Sequence, residues 1–197
     1  MRTSLATSLP TQDAGSFRET LVGKGTIIVA ATGFVAICAH IYVPLPFTLV
    51  PLTLQTFAVM LVGMLLGPTA GFSALALYLA EGAMGLPVFS PHGPGGLLQL
   101  YGPVGGYLLS YPFAAGLAGG IVLMLRGKGS QMTAGITAGS AASLLIYAIG
   151  AGWMTMQLHL SVASAWHMGV APFLPGDAIK IIAAAGIFRA LSRWQLS

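Results

Sequence analysis

The chain has 197 residues, of which 56% are hydrophobic and 6% charged, and its mean hydropathy is +0.86. A soluble domain carries roughly 25% charged residues, so a soluble fold is excluded and an all-α integral membrane protein is expected. The formal charge of +4 rests on eight basic and four acidic residues spread thinly, which argues against a nucleic-acid partner. The lone Cys38 rules out an internal disulfide and offers no metal cluster.

In chain order, residues 1–22 read as a cytoplasmic N-terminal tail and residues 23–197 as one six-helix membrane domain. The tail is polar and mixed in charge, without the apolar stretch of a cleaved signal peptide. A first span runs from about Gly25 to Tyr42 and stops at Pro44 and Pro46, which forbid a continuing helix. A second follows Pro51 and reaches Gly67. A third starts at Pro68, well placed early in a helix, and extends to Pro87. A long Gly/Pro-rich loop follows. The fourth span covers about Val104–Leu125, the fifth Met132–Met156 and the sixth Phe173–Leu191. A Gly-Pro-x-x-Gly-aromatic motif occurs at Gly67 and again at Gly102; it reads either as an internal repeat or as two helices begun by the same proline chemistry.

Basic residues orient the bundle. Arg2, Arg18 and Lys24 precede span one, Arg126 and Lys128 separate spans four and five, and Arg189 and Arg193 close span six. With six spans these places share one side, which the positive-inside rule makes cytoplasmic, so both termini are cytoplasmic. Lys180 is the exception.

Three charges fall at membrane depth: Glu81, Asp177 and Lys180. Such a charge costs about 2.5–3.5 kcal/mol on insertion scales and usually marks a working site. Asp177 and Lys180 are three apart at the outer start of span six and can pair on one helix face. They read as a binding pair or as a structural pair favoured by the helix dipole. Gln55 and Tyr78 occupy the same leaflet. Glu81 reads as a pocket group or as a protonated, hydrogen-bonded one, and Gln55 reads as a pocket group or as interhelical glue. The outer loop with Phe89, His92, Gly93, Gly95 and Gly96 suits a lid whose backbone approaches a ligand. His92, His159 and His167 lack metal-ligand spacing. Trp153, Trp166 and Trp194 fit interfacial anchors. Together these describe an outward-facing pocket for a small, partly apolar solute.

Catalytic motifs are missing. Lys24 and Lys128 lie in Gly-Lys-Gly-[Thr/Ser] runs that lack the upstream glycine of a phosphate loop, and no H-E-x-x-H or G-x-S-x-G occurs. The chain reads as one that binds and moves something, and not as an enzyme.

The stretch Pro46-Phe47-Thr48-Leu49-Val50-Pro51-Leu52-Thr53-Leu54-Gln55-Thr56 closely resembles the BioY family of biotin transporters. The likeness continues through Leu66-Gly67-Pro68, Leu77-Tyr78, Gly82 to Phe89, Gly95-Gly96, Gly102 to Tyr107, and Pro172 to Asp177 with Lys180. The resemblance implies a substrate-binding (S) component of an energy-coupling factor (ECF) transporter in the bacterial cytoplasmic membrane. It implies biotin as transported ligand with no cofactor of its own, a transmembrane scaffold (T) subunit, and ATPase subunits that use ATP. It carries substrate binding onto Gln55, Tyr78 or Glu81, Phe89, the His92–Gly96 loop, Asp177 and Lys180; where some relatives bear an arginine in that loop, this chain has His92. Span one carries small residues, among them Gly33 and Ala36. Family likeness makes this face the scaffold contact, while close packing within the bundle explains the same pattern. Membrane lipid and a second copy of the chain are the remaining partners compatible with its apolar surface.

Overall fold

A computed structural model of the chain describes residues 21–194, with side chains for residues 22–192. The expected tail therefore lies, up to residue 20, outside the described residues, as does the Trp194 side chain. Helix α1 spans Leu21–His40, α2 Gln55–Ala83, α3 Gly96–Tyr101, α4 Gly105–Leu125, α5 Gln131–Leu158, α6 Val162–Gly169 and α7 Leu174–Trp194, with a 3-10 turn at Ala171–Phe173. Strands β1 (Tyr42–Val43) and β2 (Leu52–Thr53) pair antiparallel, Tyr42 opposite Thr53 and Val43 opposite Leu52. Among the described residues, five helical stretches are long and apolar enough to cross a membrane. The chain is a multi-pass membrane protein.

The second of these stretches is two spans. Inside α2, Gly67 takes φ 82° and ψ −179°, a backbone that no helix contains and that favours glycine. Pro68 then restarts the helix without needing an N–H. A Cβ built on Gly71 would lie 3.0 Å from the Cα of Gly63, whereas a straight helix separates residues eight apart by about 12 Å. The halves are thus the antiparallel arms of a hairpin, and six spans result. The Gly102 motif behaves differently: its glycine is extended (φ −74°, ψ 177°) and lies at the other end of the bundle. The two motifs share proline chemistry and no common turn.

The expected boundaries shift where loops acquire structure. Span one ends at His40 because Ile41 accepts the Leu54 N–H and the chain enters the strand ladder. That ladder also delays the next helix to Gln55. Span three stops at Ala83, short of Pro87, because Gly85 turns the chain with φ 93°. Both long outer loops contain helices, α3 and α6, where the sequence suggests coil.

Apolar burial drives little association between helices in lipid, so close packing must do it. A Cβ on Gly63 would overlap the Ala115 carbonyl, and one on Gly119 would overlap the Gly67–Pro68 backbone. The hairpin and α4 therefore meet backbone to backbone. Gly106 and Gly150 admit Trp153 and Tyr107 between α4 and α5, and Gly135 admits Ala185 of α7. Trp153 donates to the Gly102 carbonyl at 3.0 Å. It is a packing residue of α4 and α5, where an interfacial anchor was expected; Trp166 is exposed. His159 caps α5 in the left-handed conformation, and His167 closes α6.

The basic ends converge as the charge pattern requires. Lys24, the Pro68 turn and Leu191 line one groove, while Arg126, Gln131, Ser192 and the same turn line another. These belong to the cytoplasmic end. Asp177 and Lys180 occupy the first turns of α7, at the outer end.

Candidate functional site

Asp177 is 4% exposed and lies in the first turn of α7, where the N-terminal dipole favours a carboxylate. Its Oδ1 accepts from Lys180 Nζ at 2.8 Å and from Thr56 Oγ1 at 3.4 Å. Its Oδ2 accepts from Tyr147 Oη at 2.8 Å and from Ser143 Oγ at 3.0 Å. Four donors match the acceptor capacity of a carboxylate. Lys180 also donates to Thr56 Oγ1 at 3.0 Å. Among the described residues the ammonium thus has two partners for its three donors.

Three helices build this cluster. Thr56 opens the first arm of α2, Ser143 and Tyr147 stand one turn apart on α5, and α7 brings the ion pair. Partners on every side are what an ion pair needs to survive burial, because an unpaired charge there costs several kcal/mol. The sequence reading missed Thr56, Ser143 and Tyr147. The last two are four apart and share one face of α5, but that helix also carries Thr133, Thr137, Ser140 and Thr155, so the pair does not stand out in the sequence.

The cluster is the floor of a cleft. Tyr107 and Tyr111 of α4, Ile146 of α5 and Phe173 supply its walls, and Val50, Pro51 and Thr53 its rim. The rim is fixed from both sides: the strand ladder holds Thr53, and Thr48 Oγ1 donates to the Met168 carbonyl at 2.7 Å. Tyr107 Oη donates to the Gly169 carbonyl at 2.9 Å, tying α4 to the end of α6. The free space is about 40 Å³, room for a few waters and well short of a small-molecule site. A larger occupant needs the cleft to widen.

Gln55 and Tyr78 do not line this cleft. Gln55 Nε2 donates to Tyr78 Oη at 2.6 Å, and Tyr78 donates to the Val88 carbonyl at 2.8 Å. Phe89 meets the Tyr78 ring edge to face at 5.4 Å, over Gly82. These residues clamp the start of the outer loop onto the hairpin. Gln99, a residue not anticipated, holds the rest: its Oε1 accepts from the Gly95 N–H at 3.1 Å and its Nε2 donates to the Ser90 carbonyl at 3.4 Å. Gly95 and Gly96 have φ of 73° and 60°, which suits glycine. Ser90 Oγ is the buried side-chain polar atom without a partner among the described residues. His92 is exposed, its ring 6.1 Å from that of Tyr42.

Glu81 stands apart from both groups. Thr32 Oγ1 of α1 lies 3.1 Å from its Oε1 and 2.9 Å from the Val29 carbonyl, so the hydroxyl donates to one or the other. The outer end thus holds a charged cleft and a loop clamp, joined by the neighbouring residues Gln55 and Thr56, while Glu81 faces the first helix. Gly33 is exposed on α1 with open space around it, and Ala36 is half-buried.

The profile of the BioY family matches residues 10–196. The chain is 35% identical over 186 residues to a biotin transporter BioY of Rhodobacter capsulatus, covering 90% of this chain and 94% of that protein. It is 38% identical to a probable biotin transporter BioY of Pyrococcus horikoshii, over 68% of this chain and 76% of that one. Its fold matches the crystal structure of the S-component for biotin from an ECF-type ABC transporter. The TM-score is 0.79 at 29% identity, covering 87% of this chain and 92% of that one. The chain belongs to the BioY family.

Proposed function

We propose that this protein captures biotin at the outer face of the bacterial cytoplasmic membrane and carries it inward as the S component of an ECF-type transporter. The family consists of transporters, and the chain is not an enzyme. The observation that supports the reading most is a buried ion pair wrapped by three hydroxyls at the base of an aromatic-walled outer cleft. The bicyclic body of biotin suits aromatic walls. Its ureido group offers two N–H donors and a carbonyl.

Asp177 is already saturated by protein donors, so a ureido N–H gains a place on it by displacing Thr56 or Ser143. Lys180 has a third donor for the ureido carbonyl. The carboxylate of the valerate chain lies toward the rim in this arrangement, where the Gly96 amide and the His92 ring are the loop's candidates, the Gly95 amide being taken by Gln99. Gln55, Tyr78 and Phe89 act by holding that loop. Raising the Val50–Thr53 rim then admits the ligand, because about 40 Å³ does not hold it.

A stand-alone transporter coupled to protons through Glu81 is less favoured, since that carboxylate faces Thr32 and not the cleft. ATP is used by partner subunits, and Gly33 with Ala36 forms the contact for the scaffold subunit. Asp177→Asn and Lys180→Ala should each abolish retention of radiolabelled biotin by the purified chain. Near-normal binding by both would refute the assignment. Gly33→Trp should spare binding and stop uptake; a loss of both would place Gly33 in the bundle's own packing.

A further inference from the structure

A wide groove lies at the opposite end from the cleft. Between α1 and the second arm of α2, closed on one side by Leu191, a groove of about 890 Å³ opens at the cytoplasmic end. Ile28 and Leu66 give it apolar walls, and three polar side chains line it: Lys24, Thr69 and Ser73. None of the three has a hydrogen-bond or ion-pair partner among the described residues. Thr69 cannot bond back to Leu65 as a helical threonine would, because the Gly67 turn interrupts the helix between them. Thr69 and Ser73 are four apart on one face, about 6 Å along the axis.

We infer that this groove is a binding site for one anionic phospholipid of the cytoplasmic leaflet. The charge complementarity is specific. The groove carries the Lys24 ammonium, without a partner among the described residues, at the end that the basic residues mark as cytoplasmic, where lipid headgroups are anionic. Lys24 takes the phosphate, the Thr69 and Ser73 hydroxyls donate to phosphate and glycerol ester oxygens at successive depths, and one acyl chain lies between Ile28 and Leu66. Lys24, Thr69 and Ser73 take no part in the outer cleft, so lipid retention and biotin binding are separable.

Native mass spectrometry of the full chain, released from detergent with phosphatidylglycerol or phosphatidylcholine of matched acyl chains, tests this. Phosphatidylglycerol should be retained preferentially. Lys24→Gln should weaken that retention about fivefold, the size expected for one basic residue at an anionic surface, and leave phosphatidylcholine unchanged. Lys24→Arg should preserve it, and Thr69→Val with Ser73→Ala should weaken it independently in protein that still binds biotin. Equal retention of the two lipids, or an unaltered preference in both Lys24→Gln and the Thr69/Ser73 variant, would overturn the assignment. So would a polypeptide, in place of lipid, cross-linked from a photoreactive group at Ile28.

Discussion

Replacing Lys180 by Met keeps most of the side-chain volume and removes the counter-ion of a carboxylate that is 4% exposed. At 2.8 Å and an effective dielectric near 20, the direct attraction is roughly 6 kcal/mol, much of it offset by desolvation of both ions. Breaking one side of such a pair typically costs about 3–5 kcal/mol. Thr56, Ser143 and Tyr147 still donate to Asp177 after the change, so the lower end, about 3 kcal/mol, is expected. Adding Asp177→Asn removes the stranded charge and should restore at least about 2 kcal/mol. Reversible unfolding of the four proteins in mixed micelles gives the double-mutant cycle, and biotin binding is measured on the same samples. The double variant should regain stability without regaining ligand. Additive losses, or a Lys180→Met protein within about 0.5 kcal/mol of the parent, would show that the pair is not coupled as the geometry requires.

Gly67→Ala should destabilise the chain by about 1–3 kcal/mol through backbone strain alone, since nothing lies within 4 Å of the new Cβ; an unchanged melting temperature would contradict the hairpin turn. Tyr78→Phe leaves the Val88 carbonyl and the Gln55 amide without their shared partner, costing about 1–3 kcal/mol. Hydrogen exchange across residues 88–95 should accelerate, and biotin should dissociate faster. Glu81→Gln keeps an acceptor for Thr32 and should leave both biotin binding and uptake within about twofold, under 0.5 kcal/mol. Uptake lost in that variant, with binding intact, would support proton coupling instead.

The sequence revealed most where physics is local. Pro44, Pro46 and Pro51 delimit the first loop by blocking helix, and the three-residue spacing of Asp177 and Lys180 leads directly to a contact of 2.8 Å. The charge pattern puts Lys24 and Arg126 at one end, and both line grooves that share Pro68. What could not be read was which helix faces meet. Ser143 and Tyr147 reach Asp177 across 34 and 30 residues of chain, and helices that are apolar all round carry no stripe to say which side turns inward. For the same reason Gln55 and Glu81 could be assigned to the outer half of their helices without their neighbours. Gln55 turned to Tyr78 and the loop, Glu81 to Thr32, and only adjacent Thr56 entered the cleft. The short strand ladder was hidden by its length: two residues per strand leave no alternation to detect.

Equilibrium binding of biotin to the purified chain, without other subunits, is the decisive measurement. The parent should bind saturably with one biotin per chain, and Asp177→Asn should lose that binding while still unfolding cooperatively, at a temperature lowered by the unpaired Lys180 ammonium. A parent protein that binds no biotin, or an Asp177→Asn protein that binds it as tightly, would contradict capture in the outer cleft.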